Sequence, residues 1–239
     1  MSAVLQRFNS KIIFIAYLKG VEVIGSYSEF NVLDYREFDR LVAETRSTRR
    51  FKADIEVTTT TLRELVGLAR LTPSSRNLQP LKYILVNEPA TRDEVFVCLN
   101  WARDLPQWEG PLPPQRPAAF ILILGDTQIK DSFGCDHGIA AQTMMLGARA
   151  RGLGGCIIAS CDRDKLREKL GIDYRYDILL IMALGVPGEK VELEPLPQAG
   201  DIRYWRDDKG VHHVPKRSLG ELVIKEFVAE DRNDNSGKE

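Results

Sequence analysis

Three guanidinium groups and two hydroxyls fall in one short stretch, Arg46-Ser47-Thr48-Arg49-Arg50-Phe51. Guanidinium groups meet phosphate oxygens in a bidentate fork, and a Ser hydroxyl adds a donor. Such a stretch can hold a phosphate; a solvated charged turn is the other common fate of such a run. Far along the chain, Val214-Pro215-Lys216-Arg217-Ser218 is a second compact basic element. A phosphate held between the two is chemically reasonable. A third element, Pro73-Ser74-Ser75-Arg76-Asn77-Leu78-Gln79-Pro80, is dense in amides and hydroxyls and stands directly before an apolar segment. Asn and Gln both donate and accept, so they suit a heterocycle edge with mixed donors and acceptors. The same residue types also build ordinary Asx and Ser turns.

Other chemistries fit the sequence poorly. There are three histidines, His137, His212 and His213, and no GxSxG elbow for a Ser-His-Asp hydrolase. Asp136 reads as the N-cap of a helix with His137 beside it. His212 and His213 are adjacent, so in a strand they point to opposite faces and make poor joint metal ligands. The four cysteines, Cys98, Cys135, Cys156 and Cys161, contain no CxxC pair, which argues against structural zinc and against a disulfide scaffold. Cys156 and Cys161 read as small packed residues rather than nucleophiles. Neither a P-loop nor HExxH occurs. Gly152-Leu153-Gly154-Gly155 follows a helical pattern and precedes a strand pattern, the reverse of a dinucleotide loop. It reads as a helix C-cap with a left-handed glycine.

The elements that must position these residues follow from periodicity. Tyr35, Phe38, Leu41 and Val42 form a helical stripe from Asp34 onward. Thr61 and Glu64 have capping-box spacing before a stripe of Leu62, Leu65, Val66 and Ala69. Lys82 to Val86 reads as a strand, residues 90–101 as a helix, and the Pro-rich 104–117 as an irregular excursion holding Trp108. Ala118 to Leu124 is almost wholly apolar and reads as a central strand. Gly138 to Arg151 is a core helix, Cys156 to Ala159 a short strand, 163–170 a polar helix, and Leu179 to Leu184 a buried strand. Val211 to Lys216 reads as a short strand and Leu219 to Val228 as a final helix. Helices and strands mix without a regular βαβ rhythm, which predicts an α+β sheet flanked by helices.

Composition bounds the rest. The chain has 239 residues, 44% hydrophobic and 28% charged, enough for one sizeable core. Lys+Arg is 33 and Asp+Glu is 34, and the net charge of −1 argues against a nucleic-acid partner. No apolar run has the length to span a bilayer, so no membrane partner and a cytoplasmic location are expected. From Lys11 to Leu18 the chain is apolar beyond Lys11 itself, with Arg7 before it, but Lys19 interrupts the run and Glu22 precedes any small-residue cleavage site, which argues against an export signal. Residues 1–33 read as an N-terminal extension and 229–239 as a flexible tail.

The ordered set of motifs resembles the FMN-dependent nitroreductase family. The family pattern is roughly R-S-x-R-x-F, then P-S-x-x-N-x-Q-P before a strand, then a helix like D-x-G-x-A-A-Q, then G-L-G and a late basic residue. Here these stand as Arg46 to Phe51, Pro73 to Pro80, Asp136-His137-Gly138-Ile139-Ala140-Ala141-Gln142, Gly152-Leu153-Gly154-Gly155, and Lys216-Arg217. The resemblance covers about residues 34–228. It implies a nitroreductase-like α+β fold, a mixed sheet flanked by helices, and an intertwined homodimer with two FMN sites at the subunit interface. In that reading Arg46, Ser47 and Arg49 hold the FMN phosphate and ribityl region, and Arg217, with Lys216 beside it, is a second phosphate anchor. Ser75 and Asn77 contact the flavin, Asn77 at the pyrimidine edge. The backbone of Ile157, Ile158 and Ala159 lies against the isoalloxazine near N5, and Arg49 supplies charge near N1 and O2.

The resemblance further implies hydride transfer from NADH or NADPH through N5 to a nitroaromatic, quinone or related small electron acceptor, by a ping-pong scheme. The flavin carries the chemistry, so no catalytic side chain and no metal are expected. Ala159 and Ser160 stand where the family often has Glu or Gly, and Leu81 where many members carry Trp. The excursion with Trp101 and Trp108 lies where the family often places a pocket cover; an ordinary packed loop is the alternative. Alternative functions are a specialised relative such as a reductive dehalogenase, a flavin-binding sensor or storage module, and a plain α+β domain whose basic turn is surface. No ribose-reading motif separates NADH from NADPH.

Overall fold

The computed structural model describes residues 34–102, 104, 105, 107–197 and 200–228, and the backbone of four short strands before them. The expected tail lies outside the described residues, as do the links between those four strands. The chain divides into two units, Met1–Arg40 and Leu41–Glu239. In the first, β1 (Val4–Phe8) and β2 (Lys11–Ile15) pair antiparallel, as do β3 (Tyr17–Leu18) and β4 (Val21–Glu22). Helix α1 (Tyr35–Glu44) carries the expected apolar stripe, yet none of its residues is buried within the chain.

The second unit is built on a five-stranded sheet. Its strands are β5 (Phe51–Lys52), β6 (Leu81–Val86), β7 (Ala119–Asp126), β8 (Gly154–Ile158) and β9 (Tyr176–Pro187), separated by α2 (Thr59–Arg70), α3 (Pro89–Phe96), α4 (Asp136–Ala150) and α5 (Arg163–Leu170). β9 pairs with β7 along one edge and β8 along the other, β5 joins its C-terminal end, and β6 flanks β7; every pair is antiparallel. Among the described residues, parallel pairing occurs between outlying strands and at one isolated bridge onto β8. Beyond the sheet come β10 (Val191–Pro195), β11 (Trp205–Arg206), β12 (His212–Lys216) and α6 (Leu219–Leu222). There β10 runs parallel to β12, and Ser47 makes an isolated parallel bridge to Gly155.

Side chains alternate across the sheet with period two. On one face Phe120, Leu122 and Leu124 pack with Val95 of α3 and Leu166 of α5. On the other Ala119, Ile121 and Ile123 pack with Leu62 and Leu65 of α2 and Ala140, Met144 and Ala148 of α4. Helices therefore cover both faces, and this is why β7 is unbroken apolar sequence rather than an alternating one.

Local corrections have local causes. The α2 cap is Thr58, whose hydroxyl accepts from Thr61 N at 3.1 Å; four consecutive threonines made the cap position ambiguous. α3 stops at Phe96, short of the expected 101. α6 ends at Leu222 because Val223 takes an extended backbone, φ −90° and ψ 101°, and residues 223–228 are not helical.

Candidate functional site

The chain leaving α1 is stitched to the sheet. Ser47 bridges Gly155, Thr48 N donates to Gly155 O at 2.8 Å, and Phe51, 1% exposed, pairs with Pro187. This places Arg49 over β8. There it lines a cavity of about 400 Å³ with Cys156, Ile157, Ile158, Ala159, Ser160, Asn100, Trp101, Ala102 and Tyr204. That volume lies within the range of small-molecule sites. Burial pushes the Cys156 thiol up, against the Arg49 charge and a hydrogen bond with Ser47, so it is an inert packed group, as expected.

The arginine heads are held by a module that the sequence did not mark. Glu189, in the turn between β9 and β10, accepts from the backbone N–H of both Arg49 and Arg50 through Oε1. Its Oε2 meets Arg206 Nη2 at 2.8 Å. Trp108 lies beneath the guanidinium groups of Arg206, at 4.4 Å, and Arg50, at 5.9 Å. Arg49 Nη1 is 3.2 Å from His212 Nε2, and its guanidinium stacks 4.7 Å from the Tyr204 ring. Burial first, and the Arg49 charge second, push His212 down to about 4. The imidazole is therefore neutral near pH 7, and its Nε2 can accept from Arg49. His212 and His213 do face opposite sides: His212 is fully buried, while His213 meets Glu194 at 2.8 Å.

The Arg206 guanidinium thus meets the Glu189 carboxylate directly, while Arg49 and Arg50 reach it through their backbone N–H groups. Among the described residues, Arg50 Nε, Arg206 Nε and His212 Nδ1 are buried without a partner. An excess of fixed positive charge beside an open cavity suits an anionic ligand, and a phosphorylated flavin has that character.

The other expected residues lie elsewhere in the chain. Arg46 donates to Val42 O at 3.0 Å, and burial pulls its pKa down. It lines a small space with Glu44, Arg149 and Leu153 rather than the Arg49 cavity. Lys216 and Arg217 line an open groove with Leu193 and Ser218, and Arg217 pairs with Glu221 at 3.2 Å. Ser75 and Asn77 sit in a short 3-10 turn before β6, and the flanking Ser74, Gln79 and Pro80 line a cavity with Tyr83 and Asp136. One chain therefore brings together Arg49, Ile157, Ile158 and Ala159, with Ser47 at the edge. Of the two expected cover residues, Trp101 lines the cavity and Trp108 lies beneath the arginines.

The 74–79 loop is held in an uncommon conformation. Arg76, Asn77 and Gln79 all have positive φ, at 55°, 56° and 51°. Each such non-glycine residue costs roughly 1–2 kcal/mol. Asp136 is not the cap of α4; Cys135 occupies that position. The Asp136 carboxylate instead turns toward the loop, accepting from Ser74 Oγ at 2.7 Å and Ser75 N at 3.2 Å. Burial opposes its ionisation, but these hydrogen bonds prevail and hold it below the usual carboxylate range.

Residues 42–186, more than half of the chain, match the family model described as "Nitroreductase family". A 4-nitrobenzoate reductase of Pseudomonas putida is 24% identical over 207 residues, covering 67% of this chain and 89% of the relative. A 5,6-dimethylbenzimidazole synthase of Rhodospirillum rubrum is 25% identical over 191 residues, covering 68% and 87%. Among solved structures, an FMN-dependent nitroreductase from Clostridium difficile R20291 superposes with a TM-score of 0.51 at 25% identity, covering 63% of this chain and 87% of that one.

Proposed function

Because the chain belongs to the nitroreductase family of oxidoreductases, we propose that it binds FMN and passes hydride from NADH or NADPH to a nitroaromatic, quinone or related acceptor, as a homodimer with ping-pong kinetics. The observation that carries this reading is the Arg49 guanidinium, fixed between Tyr204 and His212 above the Cys156–Ala159 segment. When bound, FMN supplies hydride acceptance and donation, so no side-chain acid or base is required of the protein. Arg49 offers positive charge to the electron-rich edge of the ring. The backbone of Ile157, Ile158 and Ala159 would lie against the ring, and Trp101 and Tyr204, which also line the cavity, would shield it from water. Ser47, beside the cavity, would serve the ribityl chain; Arg46, Lys216 and Arg217 line other spaces within one chain and would serve the phosphate in the assembled homodimer.

Within one chain neither Ser75 nor Asn77 lines the Arg49 cavity, so in this reading they complete the site of a second copy. Exposed apolar side chains in each unit support a second copy of the chain. Phe38 on α1 is 45% exposed, and near the C-terminus Ile224 is 96% and Phe227 87% exposed. Exposed apolar groups in such number are a burden for an isolated chain.

A second reading, a substrate-specialised enzyme, draws on the likeness to a dimethylbenzimidazole synthase. The absorbance spectrum of purified protein tests the shared premise. A flavin band, or its appearance on adding FMN, is expected; a colourless protein that takes up no FMN overturns both readings. Steady NAD(P)H oxidation with an added quinone or nitroaromatic favours the first reading over the second.

A further inference from the structure

We propose that Asp136 is a positioning residue: through Ser74 and Ser75 it locks the 74–79 loop in the shape that presents Ser75 and Asn77 to ligand. The inference rests on the reading of those two residues as flavin contacts. Four observations converge on it. The loop contains three non-glycine residues at positive φ, and such a run persists only where its surroundings over-determine it. The loop's own bonds are few: Asn77 N to Ser74 O at 2.8 Å, Leu78 N to Ser75 O at 3.2 Å, and Gln79 Nε2 to Asn77 O at 3.1 Å. Ser74 Oγ accepts from Gln79 N at 3.0 Å, while its own proton goes to Asp136 Oδ2. One hydroxyl thus ties both ends of the loop to the carboxylate.

The fourth observation is where the carboxylate is anchored. Asp136 is 5% exposed and opens α4, whose Ala140, Met144 and Ala148 are fixed in the core. A rigid core helix therefore dictates the shape of a surface loop 60 residues earlier in sequence. A carboxylate suits this work because it accepts at both oxygens and needs no donor of its own. An amide in its place could accept only through one oxygen, and its nitrogen would compete with Gln79 N for Ser74 Oγ.

The test compares wild type, Asp136→Asn, and Asp136→Asn combined with Arg76→Gly, first without cofactor. Arg76 is exposed, and glycine adopts its φ without a β-carbon penalty. Amide hydrogen exchange of the 74–79 peptide should rise about ten-fold in Asp136→Asn, with exchange in α4 and β7 unchanged. Adding Arg76→Gly should recover part of that protection, because the glycine relieves one of the strained positions. FMN titration by fluorescence quenching should follow the same order, with affinity about ten-fold weaker in Asp136→Asn and partly restored in the double variant. Unchanged loop exchange in Asp136→Asn overturns the proposal, as does a loss that spreads through α4 and ignores Arg76→Gly. A loosened loop with unaltered FMN affinity overturns its link to the ligand. If wild type takes up no FMN while the loop still responds, the cofactor reading falls and the positioning role of Asp136 stands.

Discussion

Glu189 and Arg206 form an ion pair of 2.8 Å in which the carboxylate side chain is 1% exposed and the guanidinium 12%. The pair gains its importance from the other carboxylate oxygen, which accepts from the backbone of Arg49 and Arg50. One side chain in a turn thus orders both the main chain and a neighbouring charge of the cationic cluster.

Glu189→Gln keeps an oxygen for the two backbone donors but removes the charge and sets an amide NH2 donor against Arg206 Nη2. Arg206 is then buried without compensation, which costs about 3–5 kcal/mol. In a chain of this size that lowers the melting temperature by roughly 10 °C. Glu189→Gln with Arg206→Met should recover much of the loss, since the stranded charge is gone. Thermal unfolding of the two single variants and the double variant measures the coupling; additive losses would show that the pair does not act as a unit.

Arg217 and Arg46 should part company. Arg217 pairs with Glu221 at the surface, with the two side chains 51% and 45% exposed. Arg217→Ala should leave stability within about 0.5 kcal/mol and weaken FMN binding about ten-fold or more. Arg46 also holds Val42 O near the end of α1, so Arg46→Ala should lower both FMN binding and stability, the latter by about 1 kcal/mol. Equilibrium dialysis and thermal melting read the two effects separately. FMN retention at the wild-type level in both variants would remove the phosphate assignment.

His212 makes stability depend on mildly acidic pH. Its ordinary value is about 6.5, and burial followed by the Arg49 charge pushes it to about 4. The unfolded chain therefore binds the proton first as pH falls. The contribution is complete above about pH 6.5, declines toward pH 4 and is constant below, with a total of roughly 3 kcal/mol. His213 acts in the opposite sense: Glu194 above all raises its pKa, so its contribution is present in acid and lost as pH rises. Urea unfolding of wild type and His212→Asn between pH 4 and 7 isolates the first effect. Parallel profiles would refute it.

Gly188 is a position where space, not backbone angle, requires glycine. A β-carbon there would lie 2.9 Å from both the carbonyl carbon and oxygen of Phe51. The Gly188 N–H also donates to Arg50 O at 2.8 Å. Gly188→Ala must push β5 away from β9, with a loss of about 1–3 kcal/mol. It should also loosen Arg49, so circular-dichroism melting and FMN affinity should fall together.

What the sequence disclosed was what local pattern can carry. α5 matches the expected 163–170 to the residue: Asp162 caps its start and Gly171, at φ 60°, ends it. The apolar run of β7 announces its place inside the sheet, while Arg49 and Ile157 to Ala159 are named by the family resemblance and line one cavity in the fold. Glu189 gave no signal: in Gly188-Glu189-Lys190 it looks like any solvated turn, and its partner Arg49 lies 140 residues away. Tyr204, Arg206 and His212 were missed for the same reason, since their meaning depends on how β10–β12 folds back. The periodicity of α1 was correct as helix but silent about burial, because a stripe does not say what covers it.

The position of β9 bears on how the chain is made. β9 (Tyr176–Pro187) is the pairing partner of β5, β7 and β8, and it comes last of the five. While the ribosome works from Asp126 to Pro187, the apolar β7 has β6 on one side and an open edge on the other. At about 5–20 residues per second that interval lasts a few seconds. An unpaired apolar edge invites strands from other chains. Until that closing strand emerges the open edge is the hazard of the nascent chain, and overexpression at lowered temperature, which weakens hydrophobic association, should raise the soluble yield.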